Sequence, residues 1–123
     1  MPITLNTTLR NARSTAIVTE AGSGAKLAVF TSGYATKLYE STCAATLGTV
    51  SGGVLTFNAV GNATATAAGT AAIARLFKSD GTTMVIEGLT VGTSGTNIVI
   101  TNTTIAVSDV VTTSAGTITE GNA

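Results

Sequence analysis

The runs Ala71-Ala72-Ile73-Ala74-Arg75-Leu76-Phe77-Lys78 and Thr83-Met84-Val85-Ile86-Glu87-Gly88-Leu89 flank Ser79-Asp80-Gly81-Thr82, and this stretch decides the fold class. Asp-Gly between two alternating runs is a strong short-range signal for a β-hairpin, because Gly and Asp tolerate the backbone angles of a tight reversal. Ile73 and Phe77 share one face with Arg75 between them. Arg75 is therefore expected at the rim of the core or paired with an acid on the neighbouring strand, with Glu87 the natural partner.

Moving outward, the same grammar repeats. Residues 43 to 50 and 53 to 60 flank Ser51-Gly52 as a second hairpin, with Leu55, Phe57 and Ala59 facing one way and Thr56 and Asn58 the other. Leu27 to Thr31 reads as a strand, and so do 97 to 101, 104 to 107 and 109 to 119, separated by Asn102-Thr103 and Ser108. The Ala/Thr stretch from Asn62 to Ala72 sets the helix preference of Ala against the strand preference of Thr, and is expected to be extended. Its small side chains let another backbone come close.

Only the start of the chain has helical spacing. Leu9, Ala12, Ala16 and Ile17 recur on one side, Thr7 or Thr8 can cap the N-terminus, and Gly22 and Gly24 end the helix. Arg10, Arg13 and Glu20 form its polar side, so an amphipathic helix over 7–21 is expected to cover an edge or face of the sheet. The expected organisation is a single domain. It has an arm at 1–6, the helix at 7–21, β-strands over 26–119 and a tail at 120–123. The fold class is mainly β, an antiparallel β-sandwich or barrel-like domain with one short N-terminal amphipathic helix.

Composition narrows the function classes. The 123 residues carry six Lys and Arg against six Asp and Glu, and the charged fraction of 10% compares with roughly 25% in an ordinary domain. The surface must therefore be rich in Thr, Ser, Asn, Gly and Ala. Net charge near zero removes the self-repulsion that keeps proteins apart, which favours an assembled state. Three Phe, two Tyr and no Trp make a thin core. At roughly 25 cal/mol per Å2 of apolar burial, such a fold gains from burying further surface between subunits.

No basic and aromatic cluster marks a nucleic-acid surface. The longest uncharged stretch, Ser41 to Ala74, is broken by glycines and filled with Thr and Asn, so it is no membrane helix. The N-terminus shows no basic segment followed by an apolar run, and synthesis in the cytoplasm is expected.

Catalytic and metal chemistry has little to work with. The chain has no histidine, which removes Ser-His-Asp and Cys-His arrangements and His-based metal sites. Cys43, the sole cysteine, sits among Ala44, Ala45 and Leu47 and reads as a small buried hydrophobe. The acids Glu20, Glu40, Asp80, Glu87, Asp109 and Glu120 lack calcium-loop spacing. Ser23-Gly24-Ala25-Lys26 matches S-x-x-K, but its companion motifs are missing and a flexible turn accounts for it. Gly22-Ser23-Gly24 lacks the phosphate-loop pattern. The sequons at Asn6, Asn62 and Asn102 follow from abundant Asn and Thr, and Thr64-x-Thr66 has no fixed-period repeat behind it. The reading is no enzyme, no catalytic, cofactor-binding or metal residues, and no cofactor.

Four pieces of the chain, in order, carry a resemblance. They are Thr7-Thr8-Leu9-Arg10-Asn11-Ala12, Arg75-Leu76-Phe77-Lys78-Ser79-Asp80-Gly81-Thr82, Val91-Gly92-Thr93-Ser94-Gly95-Thr96-Asn97-Ile98 and Thr117-Ile118-Thr119. With them the chain resembles small Ala/Thr/Gly-rich virion structural proteins of tailed bacteriophages and prophages. It differs from that group in a short segment after Phe30 and at Ile73-Ala74, where larger aromatics are common.

The resemblance implies a virion component made in the host cytoplasm, with a capsid decoration or cement protein as the leading expectation and a neck, collar or tail component as the alternative. A host-binding fibre or adhesin module is a further alternative, for which Tyr34 and Tyr39 beside Glu40 are the candidate residues. The expected partners are other virion proteins, the major capsid protein or neck and tail proteins, and further copies of the chain, with no direct nucleic-acid contact and no membrane.

Overall fold

The computed structural model describes residues 5–119. Helix α1 (Thr7–Ala21) precedes twelve strands among the described residues. These are β1 (Lys26–Phe30), β2 (Lys37–Thr42), β3 (Gly48–Ser51), β4 (Val54–Phe57), β5 (Ala63–Thr64), β6 (Gly69–Thr70), β7 (Ile73–Phe77), β8 (Met84–Gly92), β9 (Ile98–Ile100), β10 (Thr104–Ile105), β11 (Val110–Val111) and β12 (Thr113–Thr119). The fold is mainly β and barrel-like, as the pattern of short strands and turns predicts. The 1–6 arm is described only at Leu5 and Asn6, and the 120–123 tail lies outside the described residues.

Eight strands form one sheet in the order β2-β1-β7-β8-β9-β12-β4-β3, and the pairs β10–β6 and β11–β5 form two small ladders. Chain connectivity dictates the shape of the large sheet. Its outermost strands, β2 and β3, are joined by only the residues between Thr42 and Gly48, a link that spans at most about 20 Å when fully extended. A flat sheet of eight strands is roughly 34 Å across at about 4.8 Å per step. The sheet must therefore curl, and it does so into a half-barrel. Residues 61–66 run along the free edge of β2, where the Gly61 and Thr66 amides donate to the carbonyls of Thr42 and Leu38 at 2.9 Å each.

Both predicted hairpins form. Ser51 pairs with Val54, so the reversal is Gly52-Gly53, one residue beyond the Ser51-Gly52 expected. Both glycines have positive φ, 59° and 78°, the requirement of the two-residue turn that matches strand twist. The strand expected over 43–50 starts only at Gly48, because Cys43 to Leu47 make the corner between the two sheet edges, and the strand expected over 53–60 ends at Phe57. Ala59 is consequently exposed and does not join Leu55 and Phe57 in the core. Strand β2, which the sequence reading left out, is the edge partner of β1.

In the second hairpin, Arg75 pairs with Glu87 in register, and Nε lies 3.1 Å from Oε2. The face shared by Ile73, Arg75 and Phe77 is the outer one. Ala74 and Leu76, between them, point into the core. Leu27, Val29, Leu38, Tyr39, Leu47, Leu55, Ile98 and Ile100 join them in one continuous apolar cluster.

Every ladder is antiparallel except β8–β9, where Val91 pairs with Ile98 and Gly92 with Val99. Such a short parallel crossover needs fixing, and Asn97 supplies it. Its Oδ1 accepts from the Thr90 amide and hydroxyl at 3.0 Å each, and its Nδ2 donates to the Thr117 carbonyl at 3.1 Å. One side chain thus ties β8 to β12 across the loop.

Helix α1 differs from expectation in its cap and in its buried face. Asn6 caps it, accepting from the Leu9 amide at 2.8 Å, and Thr7 and Thr8 are already helical. Gly22 ends it as predicted. The inward face holds Ser14 and Ala21, with Ile17 and Val18 half-buried, while Leu9, Ala12 and Ala16 face outward. Polar side chains set this rotation. The Asn11 Oδ1 accepts from the Gly53 amide at 2.7 Å, and Arg10 lies against the same turn. Two short alanines and one leucine offer too little apolar area to override that anchoring.

Candidate interaction surface

Charged side chains are sorted along the molecule. From Ser41 to Ala74 and from Gly88 to Thr119 the only one is Asp109. The sequence thereby leaves β9, β12, β4, β3 and the two small ladders almost free of charge, and concentrates ions on α1, β1, β2 and the β7–β8 hairpin.

Ions on the charged side are largely engaged with one another. Lys37 meets Glu40 at 2.9 Å, Lys78 meets Glu20 at 2.9 Å, and the Lys26 Nζ donates to the Thr42 hydroxyl at 2.8 Å. The Arg75 guanidinium, besides its bond to Glu87, stacks 3.7 Å from the Tyr34 ring centroid and 5.5 Å from that of Phe30. The Phe30 and Tyr34 rings meet edge-on at 5.5 Å. Tyr34 itself adopts φ 59°, and its hydroxyl accepts from the Gly88 amide at 2.8 Å. This cluster fastens the outer face of β1, β7 and β8, with the Arg75 Nε and the Tyr34 hydroxyl both engaged within the fold.

Tyr34 and Tyr39 lie on different elements, Tyr34 in the short 3-10 turn Ser32–Tyr34 between β1 and β2 and Tyr39 on β2. Tyr34 lies half-buried on the outer face, whereas Tyr39 is in the core, its hydroxyl buried without a hydrogen-bond partner and its pKa pushed up by desolvation. They do not form one exposed aromatic site with Glu40. Cys43 is buried and free, and desolvation, only partly offset by the Lys26 charge, raises its thiol to about 11. That is the packing role expected of it. Ser23 lies exposed in the turn between α1 and β1, whereas Lys26 opens β1 and its Nζ donates to the Thr42 hydroxyl, so the S-x-x-K residues belong to a turn and the strand that follows it. Among the described residues, no three acids or thiols converge to hold a metal ion, and no helix is long and apolar enough to cross a membrane.

The opposite end of the half-barrel is closed by a cap built from residues 61–72 and 101–112. The Ala71 amide bonds the Thr103 carbonyl, the Ala72 amide bonds Phe30, and Ala72 in turn accepts from Val91. Further out, Ala65 and Asp109 bond through an amide and a carbonyl, and the Ser108 amide donates to the Ala65 carbonyl. Asp109 also closes its own turn, its Oδ2 accepting from the Ala106 amide at 2.9 Å. Val107 on this braced turn and Val110 at the start of β11 stand 59% and 67% exposed. A hollow of about 120 Å3 opens beside them, lined by Thr101, Asn102, Thr104, Ile105 and Val111 as well as Asp109 and Val110.

Sequence reasoning did not single out these valines. The run Ile105-Ala106-Val107 resembles any half-buried strand, and only the pairing of β10 with β6 and β11 with β5 reveals that the residues between are turned outward. Comparison of the chain with protein-family models, with curated proteins and with solved structures found no match in any of the three.

Proposed function

We propose that the chain is a structural protein of a tailed-bacteriophage virion, acting as a capsid decoration or cement protein that stabilises the head by protein–protein contacts. The observation that carries this reading is the division of the surface. Ionic and aromatic side chains are engaged within the fold, while a large remaining surface presents short neutral side chains with exposed valines among them. Thr, Ser and Ala lose little side-chain entropy on burial, and interface cores are depleted of charge, so such a surface is suited to being covered by protein. The resemblance along the chain points the same way.

In this reading the protein performs no chemistry and needs no cofactor. It acts by mass action: many copies bind the expanded lattice and bridge neighbouring capsid subunits, so that the bound state is stabilised relative to the open one. Its partners are the major capsid protein and further copies of itself, and its location is the virion.

Copy number tests the proposal. Gel densitometry of purified particles is expected to show hundreds of copies per head, and particles lacking the protein are expected to break at lower temperature or after dilution into low salt. About a dozen copies per particle would move the protein to the neck, collar or tail. Absence from particles would overturn the virion reading altogether.

A further inference from the structure

The turn between β7 and β8 carries a chemical hazard. Gly81 has φ 73°, a left-handed angle that glycine adopts without strain, and the Asp80 carboxylate supplies acceptors that close the reversal, so the turn calls for Asp followed by Gly. The same dipeptide is the one most open to backbone isomerisation, because a glycine nitrogen has no side chain beside it to shield it from the aspartyl carboxyl. Asp80 is exposed, so water reaches the turn and burial gives no protection. We infer that Asp80-Gly81 is a site of spontaneous isoaspartate formation that the fold holds closed, with Thr83 as the residue that guards it.

The reaction is a ring closure followed by hydrolysis. The Gly81 nitrogen attacks Cγ of the protonated Asp80 side chain, a C–N bond forms, and the carboxyl hydroxyl departs with the amide proton as water. A water molecule then opens the five-membered imide. Attack at Cγ restores aspartate, whereas attack at the main-chain carbonyl leaves the backbone running through Cβ and Cγ. No atoms are gained or lost overall and nothing is oxidised or reduced. The second outcome lengthens the main-chain path by one carbon, inside a turn whose closing bond runs from the Lys78 amide to the Thr83 carbonyl at 2.9 Å.

The structure opposes each requirement of the first step. The Gly81 amide donates to the Lys78 carbonyl at 2.9 Å, which engages the attacking nitrogen, and Lys78 is itself tied to Glu20 of α1. The carboxyl cannot swing freely toward that nitrogen. Its Oδ1 accepts from the Thr82 and Thr83 amides at 2.8 and 2.9 Å, and its Oδ2 from the Thr83 hydroxyl at 2.6 Å. Thr83 therefore grips both oxygens, one through its amide and one through its side chain. These bonds, the Thr83 hydroxyl foremost, also lower the Asp80 pKa, so the protonated form with a departing hydroxyl is scarce at neutral pH. Asp109 lacks the hazard, since the branched side chain of Val110 crowds the nitrogen that follows it. The inference concerns the chain alone and is independent of the virion reading.

The test is ageing of the full chain for weeks at physiological temperature and neutral pH, with isoaspartate located by peptide mapping and fragmentation mass spectrometry, and circular dichroism to verify folding. The urea-unfolded chain sets the ceiling. There isoaspartate is expected at Asp80 and not at Asp109, and the folded wild type is expected to form it about a hundredfold more slowly. Thr83→Val keeps the branched shape but removes the hydroxyl, and is expected to raise the folded rate about tenfold. Thr83→Ser, which restores the hydroxyl, is expected to stay near wild type, as is the exposed control Thr93→Ala.

If Thr83→Val fails to fold, Thr83→Ala, which also lacks the hydroxyl, decides in its place. A folded wild type that isomerises as fast as the unfolded chain overturns the inference. So does a folded hydroxyl-free variant that ages at the wild-type rate, or a Thr83→Ser variant that ages as fast as Thr83→Val. Equal conversion at Asp109 and Asp80 in urea would show that the dipeptide carries no special hazard, and would overturn it as well.

Discussion

Tyr39 and Asp80 mark two extremes of how a single residue meets its surroundings. Tyr39 fills the core with its ring but leaves a buried hydroxyl without a partner, a loss of solvation that nothing repays. Tyr39→Phe keeps the ring and removes the penalty, so stability to denaturant is expected to hold or rise by about 1 kcal/mol. A fall of that size would mean the hydroxyl is satisfied.

Asp80 is the reverse case. Its carboxylate accepts from the Thr83 hydroxyl at 2.6 Å and from the Thr83 and Thr82 amides at 2.9 and 2.8 Å, and these bonds, the Thr83 hydroxyl first, lower its pKa from the ordinary 3.8 to about 2. A carboxylate depressed by folding contributes stability that is whole above pH 4 and is lost as the pH falls through 2. Asp80→Asn is therefore expected to flatten the acid limb of the stability curve between pH 4 and 2. Parallel limbs for variant and wild type would rule this out. Both residues were visible in the sequence to different degrees: Asp80-Gly81 announced its turn, whereas the burial of Tyr39 depends on a strand, β2, that composition did not reveal.

At the level of elements, the β8–β9 crossover depends on Asn97 more than on strand pairing, since only two residue pairs make the parallel ladder. Removing its three side-chain bonds by Asn97→Ala leaves the Thr90 amide and the Thr117 carbonyl short of partners. The expected cost is about 2 kcal/mol in chemical denaturation, against about zero for the exposed Thr93→Ala in the same loop. Equal effects would show that the loop is held by its ends alone.

This element also shows where sequence reading stops. Period-two alternation and Asp-Gly located the β7–β8 hairpin because those signals are local, and Gly22 located the end of α1 for the same reason. Strand β2 was hidden because Lys37-Leu38-Tyr39-Glu40-Ser41-Thr42 alternates poorly, an edge strand being buried partly by its cross-strand neighbours. The rotation of α1 was hidden because it is set by a bond from Asn11 to a turn 42 residues away. The outward valines were hidden for a similar reason, their direction being fixed by ladders between β5, β6, β10 and β11 that no local pattern specifies.

Across the whole molecule, local stability follows depth of burial and ladder length. The centre of the half-barrel, where β1 and β7 pair over five residues with Leu27, Val29, Ala74 and Leu76 in the core, has the longest ladders and the most apolar contact. The cap has two-residue ladders and exposed neighbours, so its amides can open without disturbing the centre. Hydrogen exchange at low concentration is expected to divide accordingly. The amides of β1 and β7 should exchange only on global unfolding, and those of residues 104–111 several orders of magnitude faster. Raising the concentration until copies associate should slow exchange in the cap and leave β1 and β7 unchanged, because association covers the one and adds nothing to the other. If concentration instead protected the β1, β7 and β8 outer face around Arg75 and Tyr34, the charged side would be the contact surface and the neutral face would stay open to solvent.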